Sequence, residues 1–179
     1  MADEAIAEQF LSTAQIRYHK KGDLIIVAGQ DEYEPSILLS GLIRVFFLNA
    51  EGVDVTNLFI FEKTFYGSGF LTMKKANVCS FEALEDCVSL VLDTRVLNEV
   101  LKSNLGLLLI YTGILEQSMN RKILRENDLI TKSATERYLD LKHDYPGIEK
   151  RVSQTHIASY LGITPVSLSR IRRVIREEN

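Results

Sequence analysis

Two cysteines, Cys79 and Cys87, are the whole thiol complement of this 179-residue chain. That is too few for a disulfide framework or for an iron–sulfur cluster held by four cysteines. Histidine is scarce too: His19, His143 and His156. A metal-dependent barrel enzyme needs a His-x-His pair plus a Glu and a further His, and the first hundred residues offer His19 alone. No Ser/His/Asp set, phosphate-cradling glycine loop or dinucleotide glycine motif is present. The expectation is therefore no enzyme and no resident cofactor. No apolar run reaches membrane-spanning length; LGLLLIYTGIL (105–115) is about half of what a span needs. The N-terminus, MADEAIAEQFL, is acidic and lacks the basic region of a signal peptide. A cytoplasmic protein with no membrane partner is expected.

What the chain does have is concentrated near its end, in SQTHIASYLGITPVSLSRIRR (153–173). The pattern predicts two short helices and a tight turn. Ser153 is placed to cap the first helix with its hydroxyl. Ile157, Ala158 and Leu161 share one face, and the small Ala158 permits a close crossing. Gly162 stands where the chain must enter positive φ. Ile163 plugs the gap between the helices, Thr164 caps the second, and Pro165 fits its first position. Leu168 and Ile171 return an apolar face, leaving Ser167, Ser169, Arg170 and Arg173 to project outward. Residues 150–176 contain Lys150, Arg151, Arg170, Arg172, Arg173 and Arg176 and no Asp or Glu, in a chain of formal net charge −3. A small basic module on an acidic body is the charge asymmetry of a DNA-binding end.

The first hundred residues read as β-structure. Short β-branched and apolar runs recur between turn signals: DLIIVAG (23–29), SILLSGLIRVFFL (36–48, turning at Ser40-Gly41), DVTNLFIF (54–61), then NVCSFEALED and CVSLVLD. Asn49-Ala50-Glu51-Gly52 is a hairpin turn. This spacing predicts an antiparallel barrel or jelly roll, with Cys79 and Cys87 on adjacent strands as small apolar residues. From about Thr94 the period changes. Leu97, Leu101, Leu105, Leu108, Thr112, Leu115 and Met119 recur every three or four residues, and Leu107, Ile110 and Ile114 widen the stripe. So wide a stripe needs both its own barrel and a second copy of the helix, which predicts a twofold homodimer. The helix ends after Asp128. Ser133-Ala-Thr-Glu136 is a capping box that starts another, and Tyr145-Pro146-Gly147 stops that one. The fold class is α+β: an antiparallel β jelly-roll or barrel (1–95), a long dimerisation helix and hinge (96–130), and a small all-α helix-turn-helix domain (131–179). Two reader helices in such a dimer would lie roughly 34 Å apart, one DNA turn.

Barrel, long helix and helix-turn-helix in this order resemble the Crp/Fnr family of bacterial transcription regulators. The resemblance is carried by HIASYLGITPVSLSRIRR (156–173), GLIRVFFLNAEG (41–52) and EALEDCVSLVLD (82–93). It implies a cyclic-nucleotide-binding-like barrel, a dimer, a near-palindromic double-stranded operator and, for an activator, RNA polymerase as partner. The family's nucleotide site does not carry over. Its Gly-Glu-Leu segment is represented by Gly67 followed by Ser68, and its Arg-Ser/Thr pair and alanine by Asn77, Val78 and Cys79. A buried cyclic phosphate without the arginine is costly. Lys74 and Lys75 lie nearby as charge donors or as solvated loop residues. Tight binding of cyclic AMP or cyclic GMP is not expected, and the small-molecule effector is left open. The family's haem sensors need an axial histidine; His19 is the sole candidate and reads as a strand-edge residue, while His143 and His156 look structural or phosphate-facing.

The second helix also departs from the family's best-known reader. Pro165 and Val166 replace the Arg-Glu opening, so the acidic base reader is missing. Arg170 matches the family's later arginine and can bond guanine bidentately. Val166 suits a thymine methyl, and Ser167 and Ser169 suit bases or phosphates. Thr164, Arg172, Arg173 and Arg176 are the expected phosphate contacts. The sequence stops at Asn179, so no β-hairpin wing is expected after this helix. The alternative to a regulator is a barrel-and-helix interaction module that has lost specific DNA binding.

Overall fold

The computed structural model describes residues 8, 10, 12–30, 34–67 and 77–177. Among these, eight strands form two antiparallel four-stranded sheets: β1 (Gln15–His19), β2 (Leu24–Ile26), β3 (Ser36–Ser40), β4 (Ile43–Leu48), β5 (Asp54–Ile60), β6 (Phe65–Tyr66), β7 (Ser80–Ala83) and β8 (Cys87–Val91). One sheet is ordered β1-β8-β3-β6 and the other β2-β7-β4-β5. Six helices follow: α1 (Thr94–Ser103), α2 (Leu105–Thr131), α3 (Ala134–Asp144), α4 (Ile148–Arg151), α5 (Gln154–Leu161) and α6 (Pro165–Glu177).

Alternation along the strands builds two cores. Ile43 and Val45 point between the sheets, where they meet Leu38, Ile60, Ala83 and Cys87. These side chains form the core between the sheets, where Tyr66 Oη lies 2.7 Å from Ser89 Oγ. Leu42, Phe59 and Leu84 point the other way, off the outer face of the second sheet. There they join Tyr138, Leu141, Ile148, Val152, Ile157, Ala158, Leu161 and Leu168 from α3–α6 and the segments between them. The C-terminal helices and the barrel share one continuous apolar cluster.

The turns form where the sequence predicts them. Gly41 has φ +98°, and a Cβ there would lie 2.6 Å from Cys87 Sγ and 2.7 Å from the Asp86 carbonyl, so no other residue fits. Asn49 Oδ1 accepts from the Glu51 and Val53 amides and closes the β4–β5 hairpin. Three features differ from expectation. Strands β1 and β6 lie outside the predicted runs, because QIRYH is polar and exposed along most of its length and β6 has only two residues. Cys79 and Cys87 are not on adjacent strands. Cys79 precedes β7 of one sheet and Cys87 opens β8 of the other. The expected single long helix is two, because Asn104 is extended (φ −128°, ψ 103°) and its Oδ1 caps α2 at Leu107 N.

That break divides the stripe between two tasks. Leu97, Val100 and Leu101 of α1 are buried. The whole of α2 has no buried residue. Leu107, Tyr111 and Ile114 are half-buried, and Tyr111 meets Phe65 of β6 edge-on at 5.9 Å. The rest of the apolar stripe, including Leu105, Leu109, Ile110, Met119 and Ile123, is exposed. No helix of the described residues is long and apolar enough to cross a membrane.

Candidate nucleic-acid interface

The C-terminal module is assembled by side-chain caps. The Ser133–Glu136 capping box starts α3, with both reciprocal bonds formed. Gly147 takes the left-handed conformation (φ +82°) and opens the short α4, which the sequence pattern does not single out. Ser153 Oγ accepts from His156 N at 3.2 Å and starts α5. Gly162 ends α5 in the left-handed region at φ +69°. Thr164 Oγ1 accepts from Ser167 N at 3.1 Å and starts α6, with Pro165 as first helical residue. Leu168 is fully buried, and Ile163 and Ile171 pack beside it.

Capping and burial orient α6. Val166, Ser169, Arg170 and Arg173 are exposed, at the i, i+3, i+4, i+7 spacing of one helix face. Arg170 makes no hydrogen bond or ion pair with any described residue. Thr164 and Ser167 are joined to each other, hydroxyl to hydroxyl at 3.0 Å, at the start of the helix. Arg172, an expected phosphate contact, is engaged within the module. Its guanidinium lies 2.8 Å from Glu149 and donates to Tyr138 Oη at 3.3 Å, fastening α6 to α4 and α3. The basic count of the segment is reduced again at Arg151. That residue donates to Glu85 and Glu62 at 2.7 and 2.6 Å and to the Gly41 carbonyl at 3.1 Å. The hydrogen bonds that Arg151 donates to Glu85 and Glu62 raise its pKa further, and Arg151 holds the Glu62 carboxyl below its ordinary value. Phe61 stacks on Tyr145 at 4.4 Å beside this clamp.

A second ionic cluster lies under α5. Arg44 is 3% exposed, on the outer face of β4. It donates to Glu82 at 2.6 and 2.9 Å, to Asp54 at 2.9 Å and to Thr56 at 3.4 Å, and it covers the Phe46 ring at 4.4 Å. His156 of α5 faces this cluster, and its Nδ1 is buried without a hydrogen-bond partner among the described residues. Burial, then the charge of Arg44, pulls the His156 pKa below 6.5; Glu82 and Asp54 oppose them without prevailing. The folded state therefore favours neutral imidazole. The expected outcome is a melting temperature that is insensitive to this group above pH 6.5 and falls as the pH drops below it toward the lowered value. His156→Gln removes that part of the slope in melts run from pH 7.5 to 5; an unchanged slope refutes the assignment.

Sequence reasoning assigns no role to Arg44, Arg125 or Arg137, and uses Arg151 only as charge. A lone arginine inside the apolar run LIRVFF is the one signal for Arg44. Arg125 and Arg137 bond backbone carbonyls, which leaves no trace in sequence. Of the residues expected at an effector pocket, Gly67, Asn77 and Val78 are described. Gly67 is buried, with its Cβ direction 2.7 Å from the Glu34 carbonyl. Asn77 is buried, and its Nδ2 has no partner among the described residues. Val78 is 74% exposed. Ser68, Lys74 and Lys75 lie outside the described residues. His19 ends the edge strand β1, and burial lowers its pKa. No group of three or more potential metal ligands occurs among the described residues.

Known proteins share this geometry. Residues 16–104 match the family described as the cyclic nucleotide-binding domain. No curated protein matches the sequence. Among solved structures, the chain is similar to CLP, the c-di-GMP responsive global regulator of Xanthomonas campestris. That match has TM-score 0.80 and 14% identity and covers 98% of this chain and 93% of the other. FixK2 from Bradyrhizobium japonicum matches with TM-score 0.80 and 16% identity over 93% and 86% of the two chains. A Eubacterium rectale protein assigned to the Crp/Fnr family of transcriptional regulators matches with TM-score 0.78 and 16% identity over 97% and 83%. Sheet order, helix order and the sequence match thus converge: residues 16–104 match the cyclic nucleotide-binding domain family, and the chain as a whole has the fold seen in Crp/Fnr transcription regulators.

Proposed function

We propose that the protein is a homodimeric, sequence-specific DNA-binding transcription regulator of the Crp/Fnr type. In it, residues 1–95 form the effector-type barrel, 96–130 the dimerisation helix and hinge, and 131–179 the helix-turn-helix domain. The observation that carries the reading is the outward face of α6. Val166, Ser169 and Arg170 stand exposed on a helix whose other face is buried and whose first turn is capped. Such a helix enters a major groove with its N-terminal residues against base edges. Arg170 reads guanine and Val166 packs on a thymine methyl. Ser167 and Ser169 bond bases or phosphates, and Thr164 and Arg173 hold the phosphate backbone.

The bare apolar surface of α2 supports the dimer, since 27 residues with none buried is a face without its partner. Leu115→Glu combined with Met119→Glu is expected to turn a dimer into a monomer at micromolar concentration, read by sedimentation velocity. A dimer that survives both charges excludes α2 as the interface. Tight cyclic AMP binding is not proposed, because Ser68 and Asn77 stand where the family has its glutamate and arginine.

The test is selection of a randomised duplex library by the ligand-free protein, with a salt titration and added cyclic AMP or cyclic di-GMP as further arms. Enrichment of a near-palindrome without ligand is the expected result. Enrichment only with cyclic AMP overturns the reading of Ser68 and Asn77. Silence in every arm favours the interaction module.

A further inference from the structure

The last carbonyls of α5 have no partners within their own helix. The turn at Gly162 takes two of them: Gly162 N donates to the Ala158 and Ser159 carbonyls, and Ile163 N also donates to Ala158. The other two go to arginines from different helices. Arg125 Nη2, from α2, donates to the Tyr160 carbonyl at 2.8 Å. Arg137 Nη2 and Nε, from α3, donate to the Leu161 carbonyl at 2.9 and 3.2 Å. The Arg125 guanidinium also lies over the Tyr160 ring at 3.9 Å and reaches the Thr56 carbonyl of β5 at 3.4 Å. Thr56 N in turn donates to Ser159 Oγ of α5 at 2.9 Å. Neither arginine has a carboxylate within ion-pair distance among the described residues.

Three elements therefore meet at one guanidinium: the long helix, the second sheet and the helix that carries the turn into α6. The covalent link between α2 and α3 is a poor substitute for this joint. It passes through Lys132 and Ser133, both extended, so no helical hydrogen-bond ladder runs across it. The long helix directs α6 through side chains: Leu129 packs beside the Gly162 cap, and among the described residues Arg125 is the α2 side chain that hydrogen-bonds α5. Its planar fork and its stacking fix orientation as well as distance, which an ammonium cannot do.

We propose that Arg125 is a positioning residue that sets the angle of α6 to the long helix, and thereby the spacing of DNA half-sites that the dimer accepts. The inference rests on the proposed DNA-binding dimer. In a twofold assembly the distance between the two α6 helices follows from that angle, and half-site spacing mirrors it.

The experiment uses the full chain and its Arg125→Lys and Arg125→Gln variants. Each is offered duplexes carrying the wild-type half-sites with spacers one base pair shorter, equal and one longer. The wild type is expected to prefer one spacer by tenfold or more. Both variants are expected to discriminate less than threefold while their half-site base preferences stay unchanged. General loss of stability would weaken all spacers alike and leave the ratio intact. Amide hydrogen exchange supplies a readout without DNA. In Arg125→Gln, residues 121–131 and 158–163 should exchange faster while β3 and β8 keep their protection. A spaced site whose spacer ratio is unchanged in both variants overturns this inference alone, as does exchange that accelerates uniformly or not at all. A wild type that enriches no site overturns the DNA-binding reading and this inference with it.

Discussion

Arg170→Ala is expected to abolish base discrimination at one position of each half-site while leaving the fold intact. The side chain is exposed and touches no described residue by hydrogen bond or ion pair, so its removal creates no cavity and no orphaned group. A bidentate arginine–guanine pair carries about 1–3 kcal/mol of discrimination, so a twofold operator loses about 2–6 kcal/mol. The control is Arg173→Ala on the same helix face. Removing a phosphate-binding charge there weakens all sequences alike and lowers the salt slope by about one per site. The two variants should thus fail in different ways: Arg170→Ala keeps nonspecific binding and loses the motif, and Arg173→Ala keeps the motif and loses affinity. Retention of full information at every operator position by Arg170→Ala would refute the groove assignment of α6.

Arg44→Met is expected to cost about 3–5 kcal/mol, the usual penalty for removing one partner of a buried ion pair. Arg44 is almost wholly buried, and Glu82 loses two short hydrogen bonds with it. In a chain of this size that corresponds to a fall of roughly 6–20 °C in melting temperature. Adding Glu82→Gln should recover part of the loss, because the stranded carboxylate is then neutral. The pair also has a pH signature. The hydrogen bond from Arg44 holds the Asp54 carboxyl below 3.8, so its contribution is complete above that pH and is lost as the pH falls through the lowered value. A thermal shift under 2 °C for Arg44→Met would show that the cluster adds little to the native state.

What can be read from the sequence is whatever is decided within a few residues. Ser133 with Glu136, Ser153, Gly162 and Thr164 each act on a backbone group no more than four positions away, and each sits where its motif predicts. The β4–β5 hairpin is local in the same sense. The missed features depend on partners far along the chain. Arg151 pairs with Glu85 and Glu62 across 66 and 89 positions, and nothing near Arg151 announces either. Arg172 looks like one more member of a basic helix until α4 brings Glu149 to it. The break at Asn104 is local but hidden, because the apolar period runs through it without interruption. The site follows the same rule. The outward face of α6 is legible from helical spacing, whereas the arginines that aim it are not.

The apolar cluster shared by Leu42, Phe59 and Leu84 with the C-terminal helices bears on how such a chain can be recombined. A segment that finishes its neighbour's core is not a cassette. Grafting 131–179 onto a foreign barrel would bring Ile148, Ile157 and Leu161 to a surface not shaped for them, and would leave three large apolar side chains bare on the donor. On the proposed function, changes of operator preference therefore come cheaply by substitution on the exposed face of α6, and expensively by exchange of the whole end.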